Sequence, residues 1–184
     1  MAKKIGLVLV LAMTVAGGVF AEWYNSYAPG IEGSKFFING GIGLGILPYK
    51  MSLPAISASV EYGLPNIPLS VGGCFGVTAY EEEISAYSSY KGTLVGLGAK
   101  VSWHFNFLEN LDTYASLVLG YLFYTQEVKT TILNVSATAE NDLSTFLYGF
   151  NLGARYFFTD TIGAYVELGY SAVSVASVGL SLKF

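Results

Sequence analysis

Apolar residues alternate with small or polar residues along most of the chain. In SKFFINGGIGLGI, residues 34–46, the bulky residues Phe36, Ile38 and Ile42 share one parity, while Asn39 and several glycines occupy the other. Successive side chains of a β-strand point to opposite faces, so a strand separates these two sets, whereas a helix would scatter them around its surface. The segment is therefore predicted to be a strand with one apolar face.

The same alternation recurs in seven further segments, which are PAISASVEYG, LSVGGCFGVTAY, GTLVGLGAKVSWHF, TYASLVLGYLFYT, FLYGFNLGARYFF, TIGAYVELGY and SVGLSLKF. The connections between them alternate in length. Short turns are predicted at 64–68, 107–113 and 159–161, longer polar loops at 47–53, 81–91 and 126–143, and a brief connection at 171–174. An even strand number with short turns at one end is typical of outer-membrane barrels. The pattern predicts an all-β fold, a closed eight-stranded antiparallel transmembrane β-barrel over residues 34–184, with both termini periplasmic.

The two predicted faces differ in kind. One is bulky and apolar, and the other combines Gly, Ser and Asn with four charged residues, Glu61, Lys100, Arg155 and Glu167. Only 12% of the chain is charged, about half the share found in soluble proteins. A soluble barrel would need more charge on its exterior. We therefore expect the apolar face to contact outer-membrane lipid and the four charges to form a polar network in the lumen.

Within that network, Arg155 and Glu167 lie on either side of the turn at 159–161. Their inward parity predicts that they are opposite or diagonal, close enough for a salt bridge. Eight strands leave an interior that side chains can fill. The glycines on the inward face are expected to make room for these larger groups.

The first residues have the features of an export signal. Lys3 and Lys4 precede an apolar core over residues 5–16, and Val19-Phe20-Ala21 forms a small-residue cleavage pattern. We expect a cleaved signal peptide over residues 1–21 and a periplasmic lead over residues 22–33. An uncleaved anchor helix is the alternative, but its core is short for a membrane span.

Aromatic residues cluster near the predicted strand ends, as in the aromatic girdles of membrane barrels. The rim with the short turns is expected to carry Tyr62, Trp103, Phe105, Phe158 and Phe184. The opposite rim is expected to carry Tyr80, Tyr124, Phe146 and Tyr170.

The late hairpin LYGFNLGARYFFTDTIGAYVELGY resembles that of the small eight-stranded outer-membrane proteins, the OmpX, OmpW and OmpA-barrel group. In this group the last strand carries a pattern that the barrel-insertion machinery recognises. Ser177, Gly179, Leu182 and Phe184 match its polar, glycine, apolar and aromatic positions. The resemblance implies periplasmic chaperones and the insertion machinery as partners. The loops are expected to be shorter than the protruding strands of OmpX.

Several function classes fit the sequence poorly. The chain has 9 Lys and Arg against 13 Asp and Glu, so it lacks the basic surface that nucleic acid requires. A metal site at Glu81, Glu82 and Glu83 is not expected, because three successive carboxylates cannot all face one ion from a strand. No cofactor is implied.

A lipid-modifying barrel enzyme is a less favoured alternative. Ser102 and His104 share a face, but the sequence reveals no acidic partner that would orient the histidine as a catalytic base. The predicted function is a non-catalytic, surface-exposed structural barrel whose loops contact a ligand or host. The other alternative is a narrow channel for small hydrophobic molecules, as the OmpW resemblance implies, although the glycine-rich and charged inward face argues against it.

Overall fold

Eight antiparallel strands pair in chain order, and the last strand pairs with the first to close a barrel. The strands are β1 Phe36–Gly45, β2 Met51–Gly63, β3 Leu69–Ser85, β4 Ser88–Leu108, β5 Leu111–Ile132, β6 Val135–Phe157, β7 Ile162–Ser171 and β8 Ser174–Lys183. At the closure, Phe36 and Phe184 exchange two backbone hydrogen bonds of 2.9 Å. The predicted closed eight-stranded fold is confirmed.

The computed structural model describes residues 36–47, 49–65, 67–85, 88–108, 110–132 and 135–184. The predicted signal peptide, residues 1–21, and the predicted lead, residues 22–33, lie outside the described residues. No helix in the described part of the chain is both long and apolar enough to cross a membrane.

The barrel is apolar outside and polar inside. Outward side chains such as Leu117 and Leu180 are 60% and 63% exposed, whereas inward Glu61 and Arg155 are completely buried. Lipid requires an apolar exterior and pairing of every backbone polar group, and a closed barrel meets both requirements. The exterior is therefore a lipid-facing surface.

The barrel wall is much taller on one side. Strands β1, β7 and β8 have 10 residues each, whereas β4, β5 and β6 have 21, 22 and 23. Since 9–11 tilted residues cross the apolar layer, the long strands extend by roughly ten further residues, or about 30 Å. We call this end of the barrel the loop end, and the end with Phe36 and Phe184 the turn end.

This height corrects two expectations. The predicted polar loops at 81–91 and 126–143 are largely continuations of strands, with Glu81 opposite Lys91 and Gln126 opposite Asn141. How their length compares with the protruding strands of OmpX stays a prediction. Beyond the membrane both faces of a strand contact water, so the apolar alternation disappears although the backbone remains paired.

The turn between β7 and β8 folds into the lumen. Ala172 and Val173 are buried, and Ala172 adopts a left-handed conformation with φ of 38°. A Cβ atom at Gly76 would lie 2.6 Å from Val173 Cγ2, and one at Gly96 would lie 3.2 Å from the Ala172 Cβ. Glycines on β3 and β4 thus make room for this turn. Together with it, the buried side chains of Ala55, Cys74, Tyr80, Leu94, Val118, Leu122 and Leu147 form what we call the loop-end core.

The predicted aromatic girdle is only partly correct in its orientation. Phe146, Phe158 and Phe184 face outward and are 54%, 64% and 63% exposed. The expectation that Tyr80 and Tyr124 belong to the outward girdle is wrong. Tyr80 is 1% exposed inside the barrel, and Tyr124 packs against the loop-end core. Both have the inward parity of their strands, and proximity to a strand end does not change that parity.

Candidate functional site

A buried polar network fills the half of the lumen nearest the turn end. We call it the lumen network. Its members are Asn39, Ser59, Glu61, Ser70, Lys100, Ser102, His104, Asp112, Tyr114, Ser116, Arg155 and Glu167, all of them buried. Each is at an inward position of its strand, so the alternation seen in the sequence brings these distant residues together.

Glu61 lies at the centre of the network. Its Oε1 accepts a hydrogen bond from Arg155 Nη2 and lies 3.4 Å from Lys100 Nζ. Its Oε2 accepts hydrogen bonds from Ser70 Oγ at 2.8 Å and Ser102 Oγ at 2.5 Å. A carboxylate with two cations and two hydroxyl donors is satisfied without water, which offsets the cost of burying its charge.

The ion pairs differ from the predicted pairing. Glu167 pairs with Lys100 and accepts a 2.7 Å hydrogen bond from Tyr114 Oη. Arg155, the predicted partner of Glu167, instead pairs with Glu61 and donates from Nη1 to Asp112 Oδ2 at 3.0 Å. In register Arg155 lies opposite Tyr165 and is therefore diagonal to Glu167, as predicted. No salt bridge forms between them, because the long side chain of Arg155 reaches across the lumen to Glu61 and Asp112.

Arg155 is also held between aromatic rings. Its guanidinium carbon lies 4.1 Å from the Tyr114 ring centroid and 4.8 Å from that of Phe37. A Cβ atom at Gly153 would lie 2.3 Å from Tyr114 Cζ, so only a glycine lets this ring lie against β6. Cation–π contacts strengthen when water is excluded, and here Arg155 is completely buried.

His104 connects two strands of the network. Its Nδ1 lies 2.8 Å from Asp112 Oδ1, and its Nε2 lies 2.8 Å from Ser70 Oγ. The expectation that this histidine lacks an acidic partner is therefore wrong. Asp112 was missed because it fell within the turn predicted at 107–113, whereas it is the second residue of β5.

The side chains of Ser70, His104 and Asp112 contact one another in the same sequence as a serine, histidine and aspartate catalytic triad. Their environment differs from that of an active site. A serine nucleophile must be able to give its proton to the histidine, whereas the Ser70 hydroxyl donates to Glu61. Ser70 and His104 are both fully buried, so a substrate could not reach them in this arrangement. The geometry favours a structural role for these residues.

Every carboxylate of the network has a cationic partner. Glu61 contacts Arg155 and Lys100, Glu167 contacts Lys100, and Asp112 contacts Arg155. No buried carboxylate is therefore left without an opposite charge, which would be costly.

The predicted assembly pattern lies along β8. Ser177 faces the lumen, and Phe184 is exposed on the outer surface. A Cβ atom at Gly179 would lie 2.2 Å from the Gly40 carbonyl oxygen. The glycine of the pattern therefore allows β8 to approach β1 closely where the barrel closes. Recognition of these residues by the insertion machinery stays a prediction.

The sequence matches no protein-family model and no curated protein. Solved structures do resemble it in fold. Ail, the attachment invasion locus protein of Yersinia pestis, is 16% identical, with 84% of this chain and 100% of that chain covered and a TM-score of 0.50. A major outer membrane protein from Thermus thermophilus is 14% identical, with 83% and 100% covered and a TM-score of 0.52. The chain has the fold of a small outer-membrane barrel.

Within this barrel, the lumen network forms a layer of buried and mutually bonded side chains across the lumen. Arg155, Glu61, Lys100 and His104 are at most 1% exposed, and they are joined to each other through shared carboxylates or hydroxyls. Ions would have to separate several buried pairs to cross this layer, which is costly. Among the described residues, no group of three or more His, Cys, Asp or Glu is placed to hold a metal ion.

Proposed function

We propose that the protein is a non-catalytic outer-membrane barrel of a bacterium, with a closed lumen and a protruding sheet that contacts a ligand or host at the cell surface. The observation that carries this proposal is that the two ends of the barrel differ in structure. The turn-end half is filled by the buried lumen network, while β3 to β6 extend well beyond the length needed to span the membrane.

The loop end faces the outside in this proposal, since membrane barrels have short turns on the periplasmic side. The protruding sheet is polar and carries aromatic groups. Lys91 and Glu81 form a 2.7 Å ion pair between β4 and β3. The hydrogen bond that Lys91 donates to Glu81 raises the pKa of Lys91. The Tyr49 and Tyr90 rings lie 5.5 Å apart nearby. Charged and aromatic side chains on a rigid sheet suit contacts with a ligand.

The likeness to Ail supports the fold but not a particular partner. Ail is named as an attachment protein, and its 16% identity with this chain supports a shared fold rather than a shared function. The surface role proposed here depends on the height of β3 to β6. The alternative of a channel that carries small hydrophobic molecules through the barrel is less well supported, because the lumen network interrupts any apolar path along the lumen to the turn end.

Planar bilayer recordings test the closed lumen. The purified barrel is expected to give no current beyond a small-ion leak, because the buried ion pairs block the lumen. The double variant Glu61→Ala and Arg155→Ala, which removes the central pair, is the positive comparison and should show larger currents. Regular conductance steps from the unaltered protein would overturn the proposal of a closed lumen.

Labelling of intact cells tests the surface role separately. In a Cys74→Ser background, Glu82→Cys on the protruding sheet should react with a membrane-impermeant maleimide. Asp160→Cys, in the exposed turn between β6 and β7, is the matched control and should react only after the outer membrane is permeabilised. The reverse pattern would show that the sheet does not face outward.

A further inference from the structure

A cavity of about 540 Å³ lies at the loop end, beside the loop-end core. Its lining includes Leu47, Leu94, Leu122, Tyr124, Gln126 and Tyr170. The loop-end core and, below it, the lumen network separate the cavity from the turn end. Any occupant would therefore have to enter from the loop end or through the wall.

The wall has an opening between β6 and β7. β6 begins at Val135, but its pairing with β7 starts only at Asn151, opposite Gly169. In the described part of the chain, no strand pairs with the β7-facing edge of β6 before Asn151. The gap arises because β7 ends at Ser171 and the turn that follows it folds into the lumen.

A second hollow of about 740 Å³ runs along this gap. It is lined by lumen-facing Leu122 and Leu147 and also by outward-facing Leu117, Leu119 and Phe150. Leu122, Thr145 and Tyr170 line both hollows. The two therefore form one continuous groove that leads from the lipid-facing surface around the edge of β6 into the lumen.

The lining indicates the chemistry of an occupant. None of the described residues that line the groove is charged. Its lower part is aliphatic and aromatic, while hydrogen-bonding groups, those of Tyr90, Gln126 and Ser144, lie at its loop end. Long apolar surface with a few polar groups at one end suits a hydrocarbon chain attached to an ester or carboxyl group.

We infer that this groove binds an acyl chain of an outer-leaflet membrane lipid, which enters laterally between β6 and β7. Continuity with the lipid-facing surface favours a lipid over a solute from the medium, since the chain can enter without crossing water. Burying its methylene groups against Leu117, Leu122 and Leu147 supplies the driving force for binding. The groove shares Tyr90 and Gln126 with the protruding sheet, but the inference does not depend on the surface role proposed above.

Photo-crosslinking in nanodiscs tests this inference. The barrel is reconstituted with a phospholipid that carries a diazirine near the middle of one acyl chain, and crosslinked peptides are located by mass spectrometry. Crosslinks are expected to concentrate at 143–147 and at Leu122 and Tyr170. An even distribution over all outward-facing strands would overturn the inference, since it would report only the general lipid belt.

Blocking variants sharpen the result. Thr145→Trp narrows the point where the two hollows meet and should reduce the groove crosslinks several-fold. Val178→Trp, at an outward position of β8 that is 56% exposed, is the matched control and should leave them unchanged. A folded barrel migrates differently on a gel before and after heating. If Thr145→Trp does not show this difference, Leu143→Trp serves as a second blocking variant. Unchanged groove crosslinks in a folded blocking variant would overturn the inference.

A parallel experiment distinguishes the source of the chain. A diazirine-labelled free fatty acid replaces the labelled phospholipid in the same nanodiscs. Crosslinking of the groove by the phospholipid supports the inference whether or not the free acid also enters. Crosslinking by the free acid alone would overturn the assignment to a membrane lipid. Neither result depends on the bilayer currents or on cysteine labelling.

Discussion

Replacing Glu61 by Ala is expected to lower the free energy of unfolding of the barrel by about 3–5 kcal/mol, because it leaves buried cations without their shared carboxylate. Arg155 and Lys100 both contact Glu61 Oε1, and the hydroxyls of Ser70 and Ser102 donate to Oε2. The measurement is urea unfolding in lipid vesicles, followed by tryptophan fluorescence. Glu82→Ala, at an exposed position of the protruding sheet, is the control and should change little.

Further variants separate charge from packing. Glu61→Gln keeps the shape of the side chain but removes its charge. It should lower the free energy of unfolding almost as much as Glu61→Ala does. The double variant Glu61→Leu with Arg155→Met should be less destabilised than the sum of the two single variants, since a buried pair can be replaced by apolar groups. Equal unfolding midpoints for Glu61→Ala and the unaltered barrel would show that the network contributes little to stability.

Deleting Phe184 is expected to abolish most of the assembly of the barrel into the outer membrane. Phe184 exchanges both backbone hydrogen bonds with Phe36 at the closure of the barrel, and its ring is 63% exposed to lipid. The deletion removes these closing bonds and also the aromatic position of the proposed assembly pattern. The measurement is the amount of heat-modifiable protein in outer-membrane fractions of cells.

Two variants divide these contributions. Phe184→Ala keeps the backbone bonds and should assemble poorly only if the insertion machinery recognises the ring. Phe158→Ala removes an aromatic ring of similar exposure on the same rim and should assemble normally. Normal assembly of the deletion variant would remove the proposed role of the last strand. If both alanine variants assemble equally poorly, the rings act as membrane anchors rather than as a signal.

The fold could be predicted because a membrane forces each strand to show two unlike faces. Inside the membrane, the strict alternation around Ile38, Asn39 and Ile42 identifies the strand and both of its faces. Outside it, successive residues such as Asn141 and Asp142 are both exposed although they point to opposite faces of β6, so nothing in their order reveals that the strand is paired. The protruding sheet therefore has the sequence pattern of loops.

Only part of the membership of the lumen network could be predicted, and its ion pairs could not. Parity alone places Glu61, Lys100, Arg155 and Glu167 inside the barrel. Their pairing depends on how far neighbouring strands are staggered and on how far each side chain reaches across the lumen, and neither follows from the spacing of residues along the chain. The link from His104 to Asp112 was missed for a related reason, because β4 and β5 continue further into their shared turn than the pattern indicates.

The buried turn at Ala172 and Val173 also determines which parts of the protein surface are accessible at the loop end. In the orientation proposed above, with that turn withdrawn into the lumen, the β7 and β8 side offers little surface to an antibody or a phage, and the taller strands β3 to β6 carry most of the recognisable surface. A peptide inserted at Ala172 would be forced against the packed interior.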